Sequence, residues 1–209
     1  MKQKKLYDYQ TNFPVNPQAK TDSHEAKAPF IDNGSGPISP ERYYSLSWME
    51  QERTRLWAKV WNWAGREEDI PSQGDFFTFK IGRESFVVIR GSDHKIRAFF
   101  NVCPHRGNRL VAEGSGYLQD SINCPFHAWS FNFDGRVASV TDKETFRKEA
   151  LARDLSLSEV RCEIWEGFVF INMDWEAKPL IDQLGPLPEH AIPYRLKDMR
   201  IVRRLTSTW

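Results

Sequence analysis

Cys103-Pro104-His105-Arg106-Gly107 and Cys124-Pro125-Phe126-His127-Ala128-Trp129 decide how this 209-residue chain is read. Each segment sets a cysteine and a histidine close together, at the end of an expected strand and ahead of turn residues. Two such loops at the tips of adjacent hairpins can converge on one inorganic centre. Eighteen residues separate His105 from Cys124, and four of the chain's eight cysteines and histidines fall in this window. Four unrelated core residues would not cluster in this way.

Two centres accept two thiolates and two imidazoles. One is a structural zinc ion, which takes that ligand set readily. The other is a [2Fe–2S] cluster of the Rieske type, in which two cysteines hold one iron and two histidines the other. Three details favour iron and sulfur. The first pair is Cys-x-His, tighter than the usual first pair of a zinc finger. Both cysteines precede proline, which sets the turn and withholds an amide. The pairs also lie in sheet-forming sequence, and no helix is expected to carry the second pair. Cys103, His105, Cys124 and His127 are therefore the candidate ligands.

The surroundings read as mostly β. Phe77, Phe79 and Ile81 alternate after Gly74, Glu84 to Arg90 is a β-branched and aromatic run, and Gly91-Ser92-Asp93 turns into Lys95 to Asn101. Ser130 to Phe133 and Arg136 to Val140 flank Asp134-Gly135, a strong hairpin signal. Thr141 to Ser156 is a charged loop with room for a short helix. Val160 to Trp165 and Phe168 to Met173 flank Glu166-Gly167 as a last hairpin. Upstream, Ser47-Trp48-Met49-Glu50 has the spacing of a capping box. It is expected to open a helix through Trp61 whose apolar residues Met49, Leu56, Trp57, Val60 and Trp61 pack on the core. Residues 1–40, broken by five prolines, read as an extended arm. Arg200 to Trp209 reads as the start of another strand.

Composition narrows the function classes. Formal charge is +1, without the basic stripe that a phosphate backbone requires, so nucleic acid is not expected as a partner. No apolar run is long enough to cross a bilayer. No apolar segment with a small-residue cleavage site follows the basic N-terminus, so the expected compartment is the cytoplasm. Three cysteines do not make a disulfide framework. Cys162, inside an expected strand, reads as a core thiol. His24 and His94 read as surface residues. Arg106 and Arg109 read either as a contact for a redox partner or as solvated charge closing the loop, and Trp129 as a shield beside the centre or a route for electrons.

Beyond the four ligands, Ser-Pro-Glu-Arg-Tyr-Tyr (39–44), the stretch Trp57 to Trp63, Asn101-Val102 ahead of Cys103, and Trp165-Glu166-Gly167-Phe168-Val169-Phe170-Ile171-Asn172 resemble one family. Over roughly residues 38–209 the chain is similar to the Rieske-domain portion of aromatic ring-hydroxylating oxygenase α (large) subunits. The resemblance implies an iron–sulfur-protein-like antiparallel β domain at 41–180, an arm at 1–40, and at 181–209 a linker with the truncated start of a catalytic domain. It implies that a reductase, a ferredoxin or both feed the cluster. The cluster would pass electrons to a mononuclear Fe(II) in the catalytic domain, commonly of a neighbouring subunit in a trimer. That iron sits on two histidines and a carboxylate. Downstream of His127 the chain offers only His190 beside Glu189, so no catalytic residue is expected here. The chain reads as the N-terminal portion of a longer oxygenase; the alternative is a standalone Rieske-type electron carrier.

Respiratory Rieske proteins add a cysteine to each loop, forming a disulfide beneath the cluster. The corresponding positions here are Gly107 and Phe126. They also tend to place a serine that donates to a cluster sulfur where this chain has Ala128. With fewer donors to the sulfurs, the midpoint potential is expected at the low end of the Rieske range, about −150 mV. A redox titration checks this; a midpoint in the respiratory range sinks it.

Overall fold

The computed structural model describes residues 36–203 and 205, so the expected arm, apart from residues 36–40, lies outside the described residues, as does His24. Ten strands carry the fold: β1 (Asn62–Arg66), β2 (Asp75–Ile81), β3 (Glu84–Arg90), β4 (Ile96–Phe100), β5 (Ser115–Tyr117), β6 (Ile122–Asn123), β7 (Ser130–Phe131), β8 (Val137–Ser139), β9 (Glu159–Trp165) and β10 (Phe168–Asn172). They form a seven-stranded sheet of order β1-β10-β9-β4-β3-β2-β5 and a three-stranded sheet β6-β7-β8. Every pairing is antiparallel. The mostly β architecture read from the sequence is the one observed.

Strand β3 explains the layering. Its residues Phe86, Val87, Val88 and Ile89 are all fully buried. Side chains alternate across a strand, so a continuous apolar run needs cover on both faces. Val87 and Ile89 join Phe76, Phe99, Ile122 and Phe131 in one core, which the small sheet closes. Phe86 and Val88 join Ile70, Phe77, Ala98, Val160, Val169 and Ile171 in a second. Register keeps the two sets apart: Phe77 faces Val88 and Phe76 faces Ile89 across β2–β3. The segment between β8 and β9 contains two short helical turns, Lys143–Thr145 and Lys148–Leu151, as its charged sequence allowed. It returns Leu155 and Leu157 to the first core.

The N-terminal helix differs from its expectation in two ways. It begins earlier, with turns at Glu41–Tyr44 and Leu46–Glu52 running into a π-helical turn at Arg53–Trp57. Ser47 is interior, and its hydroxyl meets that of Ser45 at 2.8 Å rather than capping an amide. Nor does the helix pack on the core: it contains no buried residue, and Met49 is 54% exposed. Its anchors are polar, with Arg53 reaching Glu84 on β3 and Asn62 Nδ2 donating to the carbonyls of Trp57 and Val60. The stretch 62–66 lacks a period-2 pattern and carries no strand signal of its own. It becomes β1 by pairing with β10, with a register shift between Trp63 and Gly65.

Downstream of β10 the prolines impose short turns at Leu180–Gln183 and Leu187–Ala191, followed by two 3₁₀ turns. The strand expected from Arg200 does not form over 200–203, and its remainder, apart from Leu205, lies outside the described residues. Residues 196–201 are instead tied to the β1 side. Arg66 donates to the carbonyls of Leu196 and Met199, and Glu68 accepts from the Ile201 amide.

Gly135, in the β7–β8 turn, joins the small sheet to the large one. Its φ is +85°, its carbonyl accepts from the Leu157 amide at 2.8 Å, and a Cβ there would lie 2.5 Å from Cε1 of buried Phe99. Gly135→Ala is expected to destabilise by about 2–4 kcal/mol, combining left-handed strain with overpacking. Urea unfolding at unchanged m-value measures it.

Candidate metal centre

The first loop leaves β4 and the second joins β6 to β7, and the two share one backbone design. In the first, the Gly107 amide donates to the Cys103 carbonyl at 2.9 Å and the Cys103 amide to the Asn108 carbonyl at 2.7 Å. In the second, the Ala128 amide donates to the Cys124 carbonyl at 3.0 Å and the Cys124 amide to the Trp129 carbonyl at 2.8 Å. The turn requires a left-handed residue four positions after each cysteine. Gly107 adopts φ +74° freely, whereas Ala128 holds φ +55° under strain.

Buried Asn101 fixes the first loop to the sheet. Its amide donates to the Ser85 carbonyl at 2.8 Å. Its Oδ1 accepts from the Leu110 and Val111 amides, and its Nδ2 donates to the Val111 carbonyl. One side chain thus satisfies three backbone groups on the far side of the turn.

The expected ligands come together as two pairs. Cys103 and Cys124, 1% and 2% exposed, both belong to the first core. Burial pushes the Cys103 thiol up from its ordinary pKa, and the Cys124 thiol adds to the rise. The amides of His105 and Arg106, directed at the Cys103 sulfur, oppose it. The His105 and His127 rings lie outward of the thiols, both half-buried, with centroids 4.8 Å apart. Burial lowers the His105 pKa, and His127, Arg106 and Arg153 lower it further, so the neutral, metal-binding form is favoured. Nδ1 of His127 is buried without a hydrogen-bond partner, an orphaned atom of the kind a metal would satisfy.

A two-iron cluster takes two donors at each end, and here two buried cysteines accompany two half-buried imidazoles.

The remaining sequence candidates lie elsewhere. Cys162, on β9, packs against the second core, and burial pushes its thiol up to about 12. His94 is exposed in the β3–β4 turn. Arg109 pairs with Glu113 at 3.4 Å, both half-exposed, a contact worth little. Arg106 is exposed beside His105. Trp129 follows the second loop in sequence, yet its ring lies face-to-face on His105 of the first, 4.6 Å away at 4°. Neither this contact nor the hub at Asn101 is legible in the sequence; Asn101 enters the family resemblance ahead of Cys103, but its bonds to the far side of the loop carry no local signal.

Residues 60–153 match the Rieske [2Fe-2S] domain family. The chain is 37% identical over 174 residues to the carnitine monooxygenase oxygenase subunit of Acinetobacter pittii (strain PHEA-2), covering 80% of this chain and 46% of that protein. It is 32% identical over 158 residues to the biphenyl 2,3-dioxygenase α subunit of Rhodococcus jostii (strain RHA1), covering 76% of this chain and 34% of that one. Its structure resembles the apo form of a quaternary ammonium Rieske monooxygenase, with TM-score 0.71 and 36% identity, over 79% of this chain and 48% of the other. The chain therefore spans less than half the length of these curated relatives.

Replacing Asn101 with alanine leaves two amides and a carbonyl without their partner. Asn101→Ala is expected to cost about 2–4 kcal/mol. It should also speed amide hydrogen exchange at Leu110 and Val111 while β2 and β3 stay protected; unchanged exchange at those two amides refutes this role.

Proposed function

We propose that this chain, whose residues 60–153 match the Rieske [2Fe-2S] domain family, is the electron-relay portion of an oxygenase large subunit. Cys103 and Cys124 would hold one iron, and His105 and His127 the other. The observation that carries this reading is the pairing itself: two cysteines buried in one core, with two half-buried imidazoles 4.8 Å apart. The cluster, when bound, supplies a one-electron couple whose potential the imidazoles raise above that of an all-cysteine centre.

The chain's own groups serve that couple. The cysteines keep the sulfur end in the apolar core, away from water. The His105 and Arg106 amides stabilise negative charge at the Cys103 sulfur. The half-buried imidazoles give electrons a short route between cluster and surface. Phe126, 58% exposed and 3.9 Å from the His127 ring, and exposed Arg106 offer an approaching protein an apolar contact and a charge. Donors to this surface would be a reductase, a ferredoxin or both. The acceptor would be a mononuclear Fe(II) on two histidines and a carboxylate in a catalytic domain, with a homotrimer bringing it from a neighbouring subunit.

The relatives include a carnitine monooxygenase subunit and a biphenyl dioxygenase subunit. The parent activity is accordingly oxygen-dependent hydroxylation or demethylation, with substrate selection in the catalytic domain. No helix of the described residues is long and apolar enough to cross a membrane, and the proposed compartment is the cytoplasm. The three-part division into arm (1–40), Rieske domain (41–180) and linker (181–209) belongs to the same proposal.

Electron paramagnetic resonance of the dithionite-reduced protein tests the reading. It is expected to show the low-average-g signal of a mixed cysteine–histidine cluster, with equal iron and acid-labile sulfide. Cys124→Ser and His127→Ala should each abolish that signal. Stoichiometric zinc without sulfide would end the proposal.

A further inference from the structure

The two loops share a backbone but treat their histidines differently. His105 sits two residues after its cysteine and His127 three, so equivalent turns deliver unequal imidazoles. A histidine's terminal ring torsion is broad, so backbone geometry alone leaves the ring plane free to rotate. Something outside the loop must hold it.

For His105 that contact is Trp129. The indole lies 4.6 Å from the imidazole with the planes 4° apart, and Phe146 meets His105 edge-on at 5.6 Å and Trp129 at 5.7 Å. Trp129 is itself held firmly: it is fully buried in the first core, and its carbonyl accepts the Cys124 amide. Its Nε1 has no protein partner, so exchanging the indole for another ring sacrifices no protein hydrogen bond. At the matching position of the first loop stands Asn108, whose side chain donates to the Arg109 carbonyl instead. The ring contacts of His127 are with Phe126, tilted 47° and itself exposed, and with His105 at 62°. Among the described residues, His105 has a parallel aromatic partner and His127 does not.

We infer that Trp129 is a positioning residue for His105: rigid through its own burial and backbone bond, it fixes the imidazole plane of the opposite loop and so joins the two loops into one site. The inference rests on the ligand reading above. It makes the two histidines inequivalent, one locked and one adjustable.

The test uses the loaded full chain, with cluster content measured as iron and acid-labile sulfide. Electron spin echo modulation resolves the nitrogen couplings of the two histidine ligands. Trp129→Met keeps apolar bulk without a ring and is expected to shift one nitrogen coupling, leave the other in place, and displace the midpoint potential. Trp129→Phe retains a smaller ring and should shift the same coupling by less. Both variants unchanged in coupling and potential at full cluster content overturn the inference, as do two couplings that shift equally. Should Trp129→Met not hold a cluster, Trp129→Phe decides by the same criterion. A wild-type protein with no Rieske signal would refute the ligand reading itself, an outcome distinct from either of these.

Discussion

Covering β3 from both sides is the constraint from which the rest of the structure follows. Four consecutive side chains, Phe86 to Ile89, reach zero exposure, each worth about 1.5–3 kcal/mol when removed from water. One face is closed by β1, β9 and β10 as the large sheet continues round, giving the core that contains Val160, Val169 and Ile171. The other requires a separate lid, which the small sheet and Leu155 and Leu157 provide. That lid carries the second cysteine loop. The two cysteines share one core because the lid must sit on the strand, and they are members of the core it closes.

This placement sets the electrostatics of the site. Burial makes thiolates costly, which raises the Cys103 thiol, while amides of its own loop turn toward the sulfur and offset part of that cost. At the imidazole end, burial and nearby positive charge keep His105 neutral. The same desolvation thus opposes charge at both ends: it favours the neutral imidazole that a metal binds and opposes the thiolate, a cost that metal binding would offset. Polar fixings complete the arrangement: Asn101 holds the first loop through three backbone partners, and aromatic stacking ties that loop to the second.

Much of the architecture was legible because sheet periodicity and turn chemistry are local. Strand β3 was read with the bounds it has, and the hairpins flanking Asp134-Gly135 and Glu166-Gly167 formed as their turn residues indicated. The helix was less legible. Its apolar spacing is real, but spacing states only that a face exists and not what covers it, and here no buried residue results. Strand β1 was invisible for the opposite reason: Asn-Trp-Ala-Gly-Arg has no strand pattern and is extended only because β10 is beside it.

The sequence by itself named the four candidate ligands, since residue type and spacing are written in residues 103–127 and need no partner to be read. Tertiary structure alone decided the arrangement. Trp129 is adjacent to His127 in sequence yet stacks on His105, and Asn101 lies before the first loop yet closes its far side. Neither contact follows from local propensity, because each depends on where the lid comes to rest on the sheet. That position is fixed by packing summed over two cores, a quantity no short stretch of the chain contains.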